Sequence, residues 1–352
     1  MNQEALKMIG LITGYWLPRC IHAAAKLSLA DHLEKLESKV EKESGKNEGI
    51  QIEILAQECE ASAEYLLRLM RALASEGIFE QKGTRCFKNN SLSILLSQNH
   101  PHGLKNFALF HEASWHWQAW EVLGDTVSKG SPSFERKFGK TLFKYLEEKP
   151  SEQKIFDEAM TDLSKNFSVI INAMDFSSYK EVVDIGGGRG EFLLSLISQY
   201  PGMRAHLVEL PHVILNAQKK LCHNQHYKQF SFFSASFFDH IPCDGDLFIM
   251  KYILHDFDDH QCQKILQNIY QVMRKNTFSM IDKRLLVIEN ILPEDATPYR
   301  GKWTDLEMLA LTPGGKERTQ NEWHELFTRG GFEIEEIITT LTPLRLIKLM
   351  PL

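Results

Sequence analysis

Hydrophobic positions recur along the chain with two different periods, and the change from one to the other divides it. Ile12, Trp16, Ile21, Ala24, Leu27 and Leu33 fall at helical spacing and predict helices with broad apolar faces, too greasy to be solvated alone. The stretch 37–49 is charged and contains glycine, so it reads as a flexible connection. Residues 52–58, a break at Cys59-Glu60-Ala61, a helix over 64–75, and then Gly77-Ile78-Phe79 with a Lys82-Gly83 turn outline a winged helix-turn-helix. A helical stretch rich in aromatics follows over 101–174. From Lys180 onward the period shortens: the apolar runs 182–185, 205–208, 246–250 and 285–289 alternate with helical segments, which is how a doubly wound parallel sheet is built. Two β-rich runs, 332–338 and 344–349, are joined by Thr-Leu-Thr-Pro and read as a closing hairpin. The expected fold class is α/β, with an all-α winged-helix domain over 1–100, a helical linker over 101–175 and a Rossmann-like doubly wound domain over 176–352.

Length and charge narrow the function. A chain of 352 residues buries a sizeable core in two or three domains. Its net charge of −6 argues against bulk nucleic-acid binding. Within the winged helix, Glu53, Glu58, Glu60, Glu64, Glu76 and Glu80 outnumber Arg68 and Arg71, whereas a phosphate-binding surface is basic; DNA recognition is therefore not expected. The cysteines at 20, 59, 86, 222, 243 and 262 form no C-x-x-C pair and fit a reducing cytoplasm. The apolar run 8–17 falls short of the roughly 20 residues that span a bilayer. Its acidic flank at Glu4 and its continuation at helical spacing to Leu33 argue against an export signal. No metal is expected, because there is no carboxylate-rich loop and His111 with His116, or His223 with His226, lack ligand partners.

The densest chemical signal is Val182-Val-Asp184-Ile-Gly186-Gly187-Gly188-Arg189-Gly190-Glu191, followed by Ala-His-Leu-Val-Glu209. A strand breaking into glycines before a helix lets backbone N–H groups approach a ligand, and an acid ending the next strand grips ribose hydroxyls. The dinucleotide fingerprint would place glycine at 191, yet Glu191 stands there, setting negative charge where a pyrophosphate would sit. S-adenosylmethionine carries no phosphate, and its ammonium and sulfonium are cations that suit Asp184. On its own the turn also has a plainer reading, a tight strand-to-helix connection.

Further segments give the turn its context: Lys251-Tyr-Ile-Leu-His255-Asp256-Phe257-Asp258-Asp259, then Glu289-Asn-Ile-Leu-Pro, then Gly314-Gly315-Lys316-Glu317-Arg318-Thr319. In this order, over nearly the whole chain, they resemble the small-molecule O-methyltransferases of the plant caffeate and bacterial hydroxyneurosporene or hydroxyindole type. The resemblance implies that the winged helix is a dimerisation module, so a homodimer is expected. It implies S-adenosylmethionine as cofactor, held by Asp184, Gly186, Gly187, Gly188, Glu209, Leu210, Phe237, Lys251 and Phe257. Position 236, usually an aspartate facing the adenine amino group, is Ser236 here, which weakens that contact. His255 aligns with the catalytic base, Glu289 and Glu317 with the carboxylates beside it, and Asp256 with either a substrate ligand or a helix cap. Phe143, Phe156, Met160, Met308 and Thr312 become candidates for an apolar pocket that takes a flat aromatic substrate, although most aromatics of 101–174 also serve as core.

The chemistry agrees with those types. A phenol of pKa near ~10 is mostly protonated at neutral pH, so methylating its oxygen calls for a base, and histidine suits that task. Two other readings of the scaffold remain: S-adenosylmethionine used for hydroxylation or decarboxylation, and a non-catalytic ligand sensor.

Overall fold

The computed structural model describes residues 2–45, 48–163, 167–275 and 283–352. The chain divides into two compact units, Met1–Trp117 with Leu146–Lys165, and Gln118–Tyr145 with Asn166–Leu352. The stretch 101–175, expected as one linker, is shared between them.

In the first unit, helices Gln3–Ile12, Trp16–Lys26 and Leu29–Ser44 lead into β1 (Ile50–Gln51), helices Ile52–Glu58 and Ala63–Ser75, β2 (Glu80–Lys82) and β3 (Cys86–Lys88). The three strands pair antiparallel in the order β1-β3-β2, so the winged helix is present with a small sheet that the all-α expectation leaves out. Leu33, Ile52, Leu66, Met70, Leu73, Phe79 and Phe87 form its core. The charged stretch from Glu37, expected as a flexible connection, instead continues a helix as far as Ser44. Glutamate and lysine are good helix formers, and their charges here occupy an exposed face. Residues 46 and 47 of that stretch lie outside the described residues. Helix Gln3–Ile12 buries none of its residues, and Leu6, Met8, Leu11 and Ile12 stand more than half exposed. No described helix is long and apolar enough to cross a membrane.

The second unit is built on β4 (Glu181–Ile185), β5 (Arg204–Glu209), β6 (Phe230–Ser234), β7 (Leu247–Lys251), β8 (Arg284–Leu292), β9 (Arg318–Thr319), β10 (Phe332–Thr339) and β11 (Leu344–Pro351). They form an eight-stranded sheet ordered β10-β11-β8-β7-β4-β5-β6, with β9 beside the end of β8. Strands β4 to β8 are parallel, and β11 returns antiparallel against β8 and β10 as the expected hairpin. Alternate residues feed two cores: Val182, Leu207, Ile249 and Leu286 pack on one face, Val183, Val208, Phe248 and Val287 on the other. Covering both faces explains why these strands read as continuous apolar runs. β6, Phe-Ser-Phe-Phe-Ser, escaped the sequence reading because it is a short, half-buried edge strand. After β6 the chain crosses back to lay β7 on the other side of β4. The carboxyl ends of β4 and β7 therefore flank the point where strand order reverses, and such a point opens a crevice for a ligand.

Candidate active site

The glycine turn sits at that crevice. Gly186 and Gly188 take left-handed φ values of +73° and +58°. A Cβ on Gly186 would lie 2.5 Å from Ile253 Cδ1, and one on Gly187 would lie 2.3 Å from Asp184 Oδ2 and 2.7 Å from Leu207 Cδ1. Only glycine fits. Glu209, ending β5, accepts from the Gly188 N–H at 3.1 Å and from the Leu210 N–H at 2.8 Å, which binds the turn to the next strand. Asp184 is 1% exposed and its Oδ2 has no hydrogen-bond partner among the described residues. Burial raises its pKa to about 7, against the opposing charge of Lys251 and with that of Glu209. A buried carboxylate oxygen left without a donor fits a cationic ligand group, so the turn suits the aminoacyl end of S-adenosylmethionine. Burial in turn pushes Lys251 down, while Asp184 and Glu289 pull it up.

Beside the turn, Phe237, Phe238 and Phe257 form an aromatic cluster with centroid separations of 5.0, 5.1 and 5.8 Å. Phe237 also lies against Gly186. Ser236 spends its hydroxyl locally, accepting from the Phe238 N–H at 3.2 Å. Leu210 is 45% exposed, an apolar side chain at the crevice rim.

Four ionisable groups converge past the end of β7. His255, on the short turn Leu254–Asp256, is buried; its Nδ1 lies 3.1 Å from Glu317 Oε1 and 3.8 Å from Glu289 Oε2, and its Nε2 lies 3.6 Å from Asp256 Oδ1. Glu289 reaches across from β8 and accepts from the backbone N–H groups of Ile253 and Leu254, both at 3.0 Å. It thus holds the histidine loop as well as charging its surroundings. Burial drives the imidazole pKa down, but Glu289, Asp256 and Glu317 together overturn this and raise it to about 10. Burial likewise raises Glu289 to about 7 and Asp256 to about 6, each moderated by His255. His255, Glu289 and Asp256 thus all hold their protons to higher pH than they would in isolation. Asp256 is not the helix cap that one alternative foresaw: Asp258 Oδ1 takes that place, accepting from the Gln261 N–H ahead of helix Asp259–Lys275.

Several supporting residues had no role assigned from sequence. Arg318 is fully buried and donates to the carbonyls of Leu254 and Phe257 at 3.1 and 3.0 Å and to Asp259, so it clamps both sides of His255. Gly315 lies so close to the His255 carbonyl that a Cβ there would stand 2.5 Å from it, and Gly314 adopts φ +90°. Asn290, buried in β8, donates from Nδ2 to Glu317 Oε1 at 2.9 Å. Tyr252 has φ +55° and lays its ring 5.2 Å from that of His255. A polar residue inside a buried strand was the available signal for Asn290; nothing local distinguished Tyr252.

The pocket candidates are dispersed. Met308 and Thr312 are buried on and after helix Gly301–Leu311, where the Thr312 hydroxyl bonds the Met308 carbonyl and the Gly315 N–H. Phe143 is 41% exposed on helix Leu142–Glu147. Phe156 and Met160 lie on helix Pro150–Leu163 of the first unit, where Phe156 packs edge-on to Phe110.

Comparison with known proteins settles the family. The O-methyltransferase domain profile matches residues 120–333, and the O-methyltransferase dimerisation domain profile matches residues 9–99. The chain belongs to the S-adenosylmethionine-dependent O-methyltransferases. Phenazine O-methyltransferase PhzM of Lysobacter antibioticus is 32% identical over 98% of this methyltransferase and 96% of its own length. Mitomycin biosynthesis 6-O-methyltransferase of Streptomyces lavendulae is 31% identical over 96% and 92%. The solved structure of LaPhzM superposes over the whole of both chains with a TM-score of 0.89 at 32% identity. The cofactor is S-adenosylmethionine.

Proposed function

We propose that this methyltransferase methylates a hydroxyl of a small, flat aromatic metabolite, with His255 as the proton acceptor. The carrying observation is the buried His255 with three carboxylates around it at the carboxyl edge of the sheet. When bound, S-adenosylmethionine supplies an electrophilic methyl on a sulfonium. Asp184 takes the aminoacyl ammonium, Glu209 the ribose hydroxyls, and Phe237 and Phe257 the adenine faces. Gly186 to Gly188 let the backbone close on the cofactor, with Leu210, Lys251 and Ser236 at its margin.

The three carboxylates set the proton chemistry. An imidazole at its ordinary pKa lies some 3.5 units below a phenol, about 5 kcal/mol uphill for proton transfer. Raised to about 10, His255 is matched to the phenol. Glu317 on Nδ1 fixes the ring so that Nε2 faces the hydroxyl, and the proton comes to rest at Nε2. At neutral pH most of the ring is charged, so the reacting form is the fraction that has first lost its Nε2 proton to solvent; it takes the phenol proton and leaves phenolate against imidazolium. Asp256, near Nε2, is placed to hold the substrate or this proton. In the second unit, apolar Phe143 and Met308, with Thr312, are the candidate walls that exclude water.

Similarity to enzymes named for phenazine and mitomycin biosynthesis supports a fused, planar acceptor. The dimerisation match, whose start overlaps the end of the unburied N-terminal helix, supports a homodimer. Free cysteines suit the cytoplasm. Incubation with S-adenosylmethionine and a panel of hydroxylated aromatics, read by mass spectrometry, tests the reading. Failure to methylate any hydroxyl while binding the cofactor would overturn it. Sedimentation as a stable monomer at micromolar concentration would overturn the dimer.

A further inference from the structure

Glu317 Oε1 receives two donors at once, the His255 ring at 3.1 Å and the Asn290 amide at 2.9 Å, while its Oε2 has none. All three side chains are buried. Asn290 follows Glu289 in β8, two residues after the buried Ile288 and one before Ile291, and an apolar residue would pack there without an amide to satisfy. Its backbone is pinned: it pairs with Leu344 of β11, and its carbonyl accepts from Trp323 Nε1 at 2.9 Å. The amide has one sensible orientation. Nδ2 must face the carboxylate, because Oδ1 there would oppose another acceptor; Oδ1 instead lies 3.4 Å from the Tyr299 hydroxyl, itself held on the Pro343 carbonyl at 2.6 Å.

We infer that Asn290 is a positioning residue, which holds Glu317 Oε1 aimed at Nδ1 of His255. A buried carboxylate with a single donor is costly, and the cost falls hardest once His255 is neutral and Glu317 loses its cationic neighbour. Asn290 therefore stabilises the deprotonated pair more than the protonated one and moderates the basicity that the carboxylates impose. The other groups facing the pair are Glu289 from β8, Asp256 on the histidine loop and Tyr252, with Asp305 accepting from the Glu317 N–H at 2.9 Å. None of them donates a hydrogen bond to Glu317 Oε1. The inference rests on His255 being the proton acceptor, but its test needs no substrate.

Histidine-labelled full-length protein is titrated by NMR, with the His255 ring identified by its loss in His255→Gln. Asn290→Leu, matched in size, and Asn290→Ala, smaller, remove the amide donor without adding a charge. Both are expected to raise the pH at which the His255 ring loses its proton by about half to one unit, the scale of one hydrogen bond to a charged group. S-adenosylmethionine affinity, read by calorimetry, reports an intact fold and should change less than about twofold, well under the tenfold of a lost 1.4 kcal/mol. If the leucine variant does not fold, the alanine variant decides. An unmoved His255 titration in a variant that still binds cofactor overturns the inference. So does a shift that persists in a Glu317→Gln background, because Asn290 would then act by another route. Loss of methyl transfer to every acceptor with the NMR shifts intact would instead count against the assigned reaction.

Discussion

Cofactor affinity should depend on pH through Asp184. In the free protein burial holds this carboxyl near pH 7, and its Oδ2 has no donor. A cationic aminoacyl group is best served by the ionised form, so binding at lower pH must first expel a proton. With a free pKa of about 7 and a bound value well below, affinity falls close to tenfold per pH unit on the acid side. From about pH 7.5 to about pH 5.5 the dissociation constant should weaken by about 25-fold, or about 1.9 kcal/mol. Calorimetry at several pH values, repeated in buffers of different ionisation enthalpy, reads both the affinity and the protons released. Release should approach about one proton near pH 5.5 and vanish above about pH 8. Asp184→Asn should bind more weakly at neutral pH and lose most of this dependence. Wild-type affinity that stays flat over this range, with no buffer-dependent heat, would refute the assignment of Asp184 to the cofactor cation.

Other perturbations test separate parts of the site. His255→Ala should lower turnover by about 10² to 10⁴ once an acceptor is in hand, with cofactor affinity nearly unchanged; near-full turnover on an un-ionised phenol would contradict its role. Gly187→Ala drives a methyl into Asp184 and Leu207, so a destabilisation of about 1–3 kcal/mol and a cofactor dissociation constant at least about tenfold weaker are expected from thermal melts and titration. Stability of the cofactor-free protein should fall as pH rises from about 5.5 to 8. Asp184, Glu289 and His255 all have raised folded pKa values, so each contributes stability below its unfolded pKa and loses it as pH climbs through the folded one. Carboxylates with depressed values, such as Asp31 and Asp259, have finished titrating by then, and a melting temperature rising across this window would show the sign to be wrong.

Much of this protein was legible in its sequence, because local chemistry and periodicity fix what they fix without reference to distant residues. Continuous apolar runs announced strands covered on both faces, and β4, β5, β7 and β8 fall within two or three residues of the expected bounds. Glycines at 186 to 188 announced a tight turn, crowded at 186 and 187 and left-handed at 186 and 188. The acidic surface of the winged helix argued against DNA from charge alone. What lay beyond it depends on partners far apart in the chain. Taken singly, Glu289 and Glu317 are strand-end and loop carboxylates that only the resemblance set beside His255; the crossing of β8 and the return of the glycine turn put both there and, with Asp256, make its imidazole strongly basic. Serving as a clamp, Arg318 needs the carbonyls of Leu254 and Phe257, more than sixty residues earlier. Burial decides Asp184 in the same way, since the aspartate is common and its missing hydrogen-bond partner is a property of the packed crevice.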